Sequence, residues 1–259
     1  MKIEYSATTT VGSREYNQDV FLVDETISNL GIDETQHTVS ASTLSQHTIK
    51  LFVVCDGVGS YKDSGFAAQK ALEGIKDFHL KTNPENITDL KAWVIEAIQA
   101  GKDAMESYCF EHGLDGSTTI ALLAIKGDEY VFANIGDSPA YLLRNDELKE
   151  LSFKHNMAEY RRLLNEIPAE YEHSILLHHL GEFNLNIPLT AHFDGGKLYH
   201  KDAFVICTDG VSNALMVNFI QMLSSKTSSY DFAIKSGEAI NSDNCTAITI
   251  YVEDLTDES

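Results

Sequence analysis

Two apolar segments of this chain end in an aspartate that is followed by glycine. Asp56 comes directly after the apolar run 52–55, and Asp209 follows the run 204–207 with one threonine between. A β-strand that runs into Asp-Gly places a carboxylate at the end of its sheet, and the glycine lets the backbone turn sharply and expose its carbonyl oxygen. Asp243, shortly before another apolar run, is a third carboxylate of this kind. Carboxylate and carbonyl oxygens suit Mg²⁺ or Mn²⁺, whereas zinc more often recruits Cys and His, so the pattern indicates a hard-cation site.

A single Asp-Gly is more often a simple turn than a ligand, so the rest of the chain decides between the two interpretations. Segment 12–19 reads Gly-Ser-Arg-Glu-Tyr-Asn-Gln-Asp ahead of a predicted strand, and segment 134–138 reads Asn-Ile-Gly-Asp-Ser between two more. Five motifs in this order, each at a strand end, resemble the metal-dependent Ser/Thr protein phosphatases of type 2C in their bacterial form. The resemblance spans residues 12–252 and rests on Arg14, Asp19, Asp56, Gly57, Asp137, Asp209, Gly210, Asp243 and Asn244.

The resemblance implies a centre of two divalent ions, Mn²⁺ or Mg²⁺. Asp56 matches the carboxylate that bridges both ions, and the Gly57 carbonyl completes the first site. Asp209 and Asp243 match ligands of the second ion. Two such ions hold a bridging hydroxide that attacks the phosphorus of phosphoserine or phosphothreonine directly. No protein nucleophile is then needed, and the chain has no Gly-x-Ser-x-Gly elbow, Cys-x₅-Arg loop or Walker loop.

Three further roles follow from the same resemblance. Asp19 matches an acidic residue that holds metal-bound water from the outer shell. Asp137 matches a residue that, with Asp209, binds a third, weaker ion in bacterial members. Arg14 matches the phosphate-binding arginine, whose planar fork grips two phosphate oxygens where a lysine acts only as a point charge. The expected catalytic set is Arg14, Asp19 and Asp56.

The chain also departs from the family pattern. Val58 stands where eukaryotic members have a histidine, and Tyr61 replaces a histidine common in bacterial members, which leaves the general acid open. Pro139 replaces the arginine of the usual Gly-Asp-Ser-Arg. Segment 177–181, Leu-His-His-Leu-Gly, stands where bacterial members tend to have an arginine before Ala-Leu-Gly. Substrate preference therefore does not transfer from the family.

Alternating and helical periods predict the elements that position these residues. Strands are predicted at 3–10, 20–23, 50–55, 118–126, 130–135, 140–144, 203–207 and 247–252. Helical periods cover 68–78, 90–108, 212–223 and 231–240, and Asn83-Pro84 separates the first two. The residues alone predict an α+β protein, and the resemblance implies an αββα sandwich of two mostly antiparallel sheets.

Length and pattern predict a single catalytic domain over residues 1–259. Within it, residues 29–47 are rich in Ser, Thr and Gln with little period, which predicts a flexible insertion. Residues 152–201 carry six of the ten histidines and stand at the family's variable flap beside the active site.

Composition limits the partners. The net charge of −20 disfavours nucleic acid and anionic membrane, and there is no membrane-length apolar run or signal peptide, so we predict a cytoplasmic protein. The four cysteines lack Cys-x-x-Cys spacing and two lie in apolar strands, as expected of reduced core thiols. The predicted partners are a phosphorylated protein substrate and a cognate Ser/Thr kinase.

Two other functions remain open at this point. The missing histidine and Gly-Asp-Ser-Arg arginine suit a pseudophosphatase, which would bind metal and a phosphoprotein without turnover. The intact aspartates and Arg14 argue against it. The other alternative is a phosphatase of small phosphorylated metabolites.

Overall fold

Two six-stranded sheets form the centre of the computed structural model, which describes residues 1–28, 36–41, 48–59, 63–181, 191–215 and 218–254, the side chains of 36–41 and 212–214 excepted. The strands are β1 Lys2–Thr10, β2 Val20–Val23, β3 Thr26–Ile27, β4 Gln36–Ala41, β5 Ile49–Cys55, β6 Ile120–Lys126, β7 Glu129–Ile135, β8 Ala140–Arg144, β9 Glu147–Glu150, β10 His192–Lys197, β11 Ala203–Cys207 and β12 Cys245–Asp254. The helices are α1 Asp63–Lys81, α2 Leu90–His112, α3 Met157–Leu163, α4 Asp209–Leu215, α5 Phe219–Ser224 and α6 Ser229–Gly237.

Every strand pair in the two sheets is antiparallel. The first sheet has the order β4-β1-β12-β11-β8-β9, and the second has the order β10-β7-β6-β5-β2-β3. The strand β12 pairs with β1 from Lys2 opposite Asp254 to Thr10 opposite Cys245. The beginning and the end of the described chain therefore lie side by side in the middle of one sheet.

Both faces of the central strands are buried, which explains their continuous apolar sequences. In β5, Phe52 and Val54 pack between the sheets, while Leu51, Val53 and Cys55 pack against α1 and α2. The outer face of the first sheet is covered by α4, α5 and α6. The layers therefore run helix, sheet, sheet, helix, which confirms the predicted αββα sandwich.

The two long helices are separated where the sequence predicts a break. Asn83 accepts a hydrogen bond from the Glu85 amide in a short 3₁₀ turn between α1 and α2. Asp89 caps α2 by accepting from the Ala92 amide at 3.0 Å, and Gly113, with φ +65°, ends it. In the described part of the chain, no helix combines the length and the apolar character needed to cross a membrane.

Part of the segment 29–47 differs from the sequence-based expectation of a flexible insertion. Residues 36–41 form β4, which pairs with β1 at the edge of the first sheet, while 29–35 and 42–47 lie outside the described residues. An edge strand gains its pairing from backbone hydrogen bonds along one side, so it needs no strong apolar period. The composition of the segment therefore gave no strand signal.

The range 152–201 also contains elements that the periodicity did not predict. It holds α3, a 3₁₀ turn over Glu170–Ser174, and β10, which extends the second sheet along β7. The strand β10 reads His-Phe-Asp-Gly-Gly-Lys and is half-buried at best, so its sequence lacks the usual strand residues. The predicted helix over 212–223 is likewise two helices, α4 and α5.

All four cysteines are free and buried, which confirms their prediction as core thiols. Burial raises the pKa of Cys55, Cys207 and Cys245, since each thiolate would lie in an apolar layer. These thiols are therefore packing residues.

Candidate active site

The predicted site residues converge on one end of the two sheets. Asp56 follows β5, Asp137 lies between β7 and β8, Asp209 follows β11 after one residue, and Asp243 precedes β12. Together with Arg14 they line an open cleft of ≈ 770 Å³. Antiparallel strands from both sheets thus present their acidic ends to one space.

Asp56 and Asp209 are both partly buried and lie close enough for their carboxyl groups to hydrogen-bond each other. Burial raises the pKa of Asp56 well above its usual range, and the neighbouring carboxylates of Asp19, Asp209, Asp137 and Asp243 raise it further. Burial and the Asp243 carboxylate raise the pKa of Asp209 in the same way. The two carboxyls therefore need either protons or cations to be stable together.

Asp19 lies at 1% exposure and is not among the residues that line the cleft. The Thr208 hydroxyl donates to its Oδ2 at 2.8 Å, whereas its Oδ1 has no hydrogen-bond partner among the described residues. Burial, together with the Asp243 and Asp209 carboxylates, raises the pKa of Asp19 to about 7. A buried carboxylate oxygen without a partner is costly, and a water held by a nearby cation would satisfy it.

Asp137 lies on a tight turn that is tied to the end of β5. Gly136 has φ +105°, and a Cβ there would stand 2.6 Å from the side chain of Thr119. The Thr119 hydroxyl lies 2.7 Å from the Ser138 hydroxyl and accepts from the Asp56 amide at 3.1 Å. Burial and the Asp209 carboxylate raise the pKa of Asp137 to about 7, and Lys154 acts in the opposite direction.

Gly57 occupies a position that admits no side chain. A Cβ there would stand 2.9 Å from the Gln18 Cβ and 2.9 Å from the backbone of Ser64. Gly57 also pairs with Thr118 as an isolated bridge, so its backbone is fixed at the cleft that it lines. Any larger residue would displace the segment that carries Asp56.

Arg14 pairs with Asp243 at the open side of the cleft. Its Nη2 donates to Asp243 Oδ2 at 2.7 Å, and the two side chains are 58% and 43% exposed. Asn244 holds the two segments together, because its side chain donates to the Val11 and Tyr16 carbonyls and accepts from the Gln18 amide. The exposed pair has modest strength, so a phosphate oxygen can replace Asp243 as the partner of Arg14.

The donor set fits divalent cations that prefer oxygen. Among the described residues, no three His, Cys, Asp or Glu side chains converge tightly enough to enclose a metal ion by themselves. Mg²⁺ usually keeps several waters and takes only one or two carboxylates, so an open cleft with spaced carboxylates is suitable for it. The unpartnered Oδ1 of Asp19 and the raised pKa values of Asp56 and Asp209 both indicate a need for positive charge at this site.

Sequence reasoning missed several residues that shape this site. Thr208 orients Asp19, Thr119 ties two acidic turns together, and Lys154 lowers the pKa of both Asp137 and Asp209. Thr208 lies between the predicted strand 203–207 and Asp209, but a threonine at a strand end is too common to indicate a functional residue. His179, from the flap range, lines the cleft. Tyr61 lies outside the described residues, and Val58 lines the cleft.

One family model and several known proteins are similar to this chain in sequence. The family model described as Protein phosphatase 2C matches residues 35–239. The serine/threonine phosphatase stp of Listeria monocytogenes is 26% identical over 220 residues, covering 80% of this chain and 85% of that protein. PstP of Mycobacterium tuberculosis is 25% identical over 222 residues, covering 80% of this chain and 41% of that protein.

Solved structures show the same architecture. The S. agalactiae serine/threonine phosphatase aligns with a TM-score of 0.79 at 20% identity, covering 97% of this chain and 100% of that one. The Mycobacterium tuberculosis PstP structure aligns with a TM-score of 0.75 at 20% identity, covering 98% and 100%. At this identity the likeness concerns the fold. The family match covers most of the chain, and the chain belongs to the protein phosphatase 2C family of phosphoprotein phosphatases.

Proposed function

We propose that this chain hydrolyses phosphoserine or phosphothreonine in proteins and depends on Mn²⁺ or Mg²⁺. The observation that carries the proposal is the group of buried and partly buried carboxyls at one end of the sheets, whose pKa values are raised by burial and by neighbouring carboxylates. Similar proteins are named serine/threonine phosphatases, and one PstP structure is described as a complex with 2 manganese ions.

We assign the metal ligands as the family resemblance implies. Asp56 and the Gly57 carbonyl oxygen would hold the first of two ions, and Asp56, Asp209 and Asp243 would hold the second. Asp137, with Asp209, would hold a third and weaker ion. Bound divalent cations would acidify a water at neutral pH and offset the charge of the phosphoryl group.

The remaining residues act on water and substrate. Asp19, fixed by Thr208, accepts a hydrogen bond from a water through its free Oδ1. Arg14 leaves Asp243 and donates from its guanidinium fork to two phosphate oxygens. Water attacks the phosphorus in line with the departing serine or threonine oxygen, and no covalent enzyme intermediate forms.

The proposed unit of function is one catalytic domain over residues 1–259. Its support is the pairing of β1 with β12 along Lys2 to Asp254, which joins the two ends of the described chain in one sheet. A Ser/Thr kinase that phosphorylates the same protein is the proposed functional counterpart. The cytoplasmic location stays a prediction from the sequence.

The test is phosphate release from p-nitrophenyl phosphate and from a phosphothreonine peptide, with Mn²⁺, with Mg²⁺ and with EDTA. We expect turnover of both substrates with a cation and none with EDTA. Cation binding without turnover of either substrate would instead indicate a pseudophosphatase. Turnover of small phosphate esters with no turnover of phosphopeptides would indicate a metabolite phosphatase.

A further inference from the structure

Hydrolysis of an alkyl phosphate requires a proton at the leaving oxygen, because a serine or threonine alkoxide is a very poor leaving group. The side chains that line the cleft offer few donors. The aspartates are assigned to cations, and an arginine does not give up its proton in a protein. Imidazole is the side chain that ordinarily changes charge near neutral pH, and His179 is the one histidine that lines the cleft in the described part of the chain.

The backbone fixes His179 close to the metal-bridging aspartate. Its neighbour Leu180 is fully buried and exchanges two hydrogen bonds with Thr118, at 3.0 and 2.8 Å. The Thr118 hydroxyl donates to the Asp56 carbonyl at 2.9 Å, and the Thr119 amide donates to the same oxygen at 2.9 Å. The pair of Leu180 and Thr118 therefore links the segment of His179 directly to the segment of Asp56.

The chain after His179 is restricted as well. Gly181 has φ +95°, and a Cβ there would stand 2.9 Å from the Gly116 carbonyl oxygen. Together with the burial of Leu180, this close approach holds the segment in a single position. A proton donor needs such fixed placement, since the donor nitrogen must reach one particular oxygen of the substrate.

The ring of His179 has one nitrogen available. Its Nδ1 lies 3.4 Å from the Leu180 carbonyl oxygen, and among the described residues its Nε2 makes no hydrogen bond. The next histidine differs. His178 does not line the cleft, and its ring packs edge-on against His155 at 5.6 Å between centroids. The two adjacent histidines therefore have separate surroundings.

We propose that His179 donates the proton to the leaving oxygen of the phosphoserine or phosphothreonine substrate, an inference that rests on the proposed function. As water forms the new bond to phosphorus, the bond from phosphorus to the ester oxygen breaks and its electron pair goes to that oxygen. The proton on His179 Nε2 transfers to the same oxygen and completes the alcohol. The attacking water loses one proton to solvent, and a solvent proton restores the imidazolium.

The experiment compares two substrates that differ in their need for this proton. p-Nitrophenolate departs without protonation, whereas threonine does not. For His179→Gln with saturating Mn²⁺, the kcat/KM for a phosphothreonine peptide should fall by roughly 10²- to 10⁴-fold. The fall for p-nitrophenyl phosphate should be far smaller, so the ratio of the two values changes by at least roughly thirtyfold. His178→Gln, the matched control, should keep the wild-type ratio.

Each other result would overturn the inference. Equal losses on both substrates would make His179 a structural or substrate-positioning residue, and an unchanged ratio would exclude it as the donor. If His179→Gln unfolds, His179→Asn is tested with the same two substrates and with a series of aryl phosphates. Without the proton donor, the rate should depend more steeply on the pKa of the leaving group. Absence of cation-dependent turnover in the wild type would overturn the proposed function, and this inference with it.

Discussion

Two arginine–aspartate pairs lie at opposite ends of the first sheet and differ in burial and in the number of hydrogen bonds that they make. At one end Arg144 makes two bonds to Asp202, from Nε to Oδ1 at 2.8 Å and from Nη2 to Oδ2 at 2.7 Å. Asp202 is 1% exposed and also accepts from the Tyr199 amide, and the guanidinium lies over the Tyr199 ring at 4.4 Å. At the other end Arg14 reaches Asp243 through one contact between exposed side chains.

The strands β8 and β11 connect these two ends of the sheet. Asp137 precedes β8 and Arg144 ends it, while Asp202 precedes β11 and Asp209 follows its far end. At the Arg144 end, the protein supplies the cation that a buried carboxylate needs. At the cleft end, the carboxylates outnumber the nearby basic side chains, and burial together with neighbouring carboxylates raises the pKa of Asp56 and that of Asp209. The contrast indicates that the cleft is built to take its positive charge from solution.

The largest expected effect follows from neutralising the cleft end. Asp56→Asn removes the charge that we assign to cation binding with little change in side-chain volume, and metal catalysis of the proposed kind supplies several kcal/mol. Phosphate release should therefore fall by at least roughly a thousandfold. Without cations the variant should be as stable as the wild type or more so, because one repelling carboxylate is gone. Thermal unfolding with EDTA and with Mn²⁺ measures this.

The cation response gives the control for this variant. In the wild type a cation at a hundred times its Kd should add about 2.7 kcal/mol of stability, and Asp56→Asn should lose most of that gain. Near-normal turnover of the variant, or a full stabilisation of the variant by Mn²⁺, would show that Asp56 is not a metal ligand.

The second effect concerns the other end of the sheet. Arg144→Leu leaves Asp202 buried without its cation, which should cost about 3 kcal/mol, the lower end of the usual range because Arg144 is 31% exposed. The melting temperature should fall by roughly 6–12 °C. At a temperature where the variant is folded, its kcat/KM and its Mn²⁺ response should match the wild type.

A double variant isolates the charge from the packing. Arg144→Leu combined with Asp202→Asn removes both charges and keeps an oxygen that accepts from the Tyr199 amide. It should be more stable than Arg144→Leu alone. If Arg144→Leu is as stable as the wild type, the buried pair has no stabilising role, and Asp202 does not need the cation that Arg144 supplies.

The sequence predicted the aspartates at the cleft but not the pair of Arg144 and Asp202. Asp56 and Asp209 follow strands whose two faces are buried, so their apolar runs are continuous and their ends are easy to locate. Arg144 and Asp202 are 58 residues apart, and nothing in local pattern connects them. Pairing between distant segments depends on strand order, which periodicity does not determine.

The same reasoning explains the unpredicted elements. The strands β4 and β10 lie at sheet edges, and β9, also at an edge, reads Glu-Leu-Lys-Glu. Edge strands are half-exposed, so polar residues and glycine replace the apolar alternation that marks a central strand. The supports of the site, such as the Thr208 bond to Asp19 and the Thr118 bonds to Leu180 beside His179, are likewise long-range hydrogen bonds that a sequence does not display.

The third effect is the pH dependence of the cation-free protein. The pKa of Asp19 and that of Asp137 are raised to about 7 from the ordinary aspartate value of 3.8, so the folded state binds more protons than the unfolded state between these values. The stability that these groups contribute is complete below pH 4 and is lost as pH rises through about 7. In EDTA the melting temperature should therefore fall toward neutral pH by roughly 2–4 °C per kcal/mol lost.

Saturating Mn²⁺ should flatten this fall, because the cation replaces the protons. Asp19→Asn, which removes one of the two groups, should also flatten it in EDTA while leaving Arg144 and Asp202 intact. A melting temperature in EDTA that rises steadily from pH 5 to pH 7, with no difference between the wild type and Asp19→Asn, would contradict the assignment of repelling carboxyls.

The smallest effect separates the two arginines. Arg14→Lys keeps the charge but loses the planar fork, and charge-assisted hydrogen bonds contribute about 1.5–3 kcal/mol, so kcat/KM for a phosphothreonine peptide should fall roughly ten- to a hundredfold. Inhibition by free phosphate should weaken in parallel, and stability should change little, because the Arg14 contact with Asp243 is exposed. Arg144→Lys should do the opposite and lower the melting temperature without changing kcat/KM, since the fork of Arg144, unlike that of Arg14, holds a buried carboxylate. If Arg14→Lys keeps wild-type kcat/KM and phosphate inhibition, Arg14 is a surface residue and the cations alone recognise the phosphate.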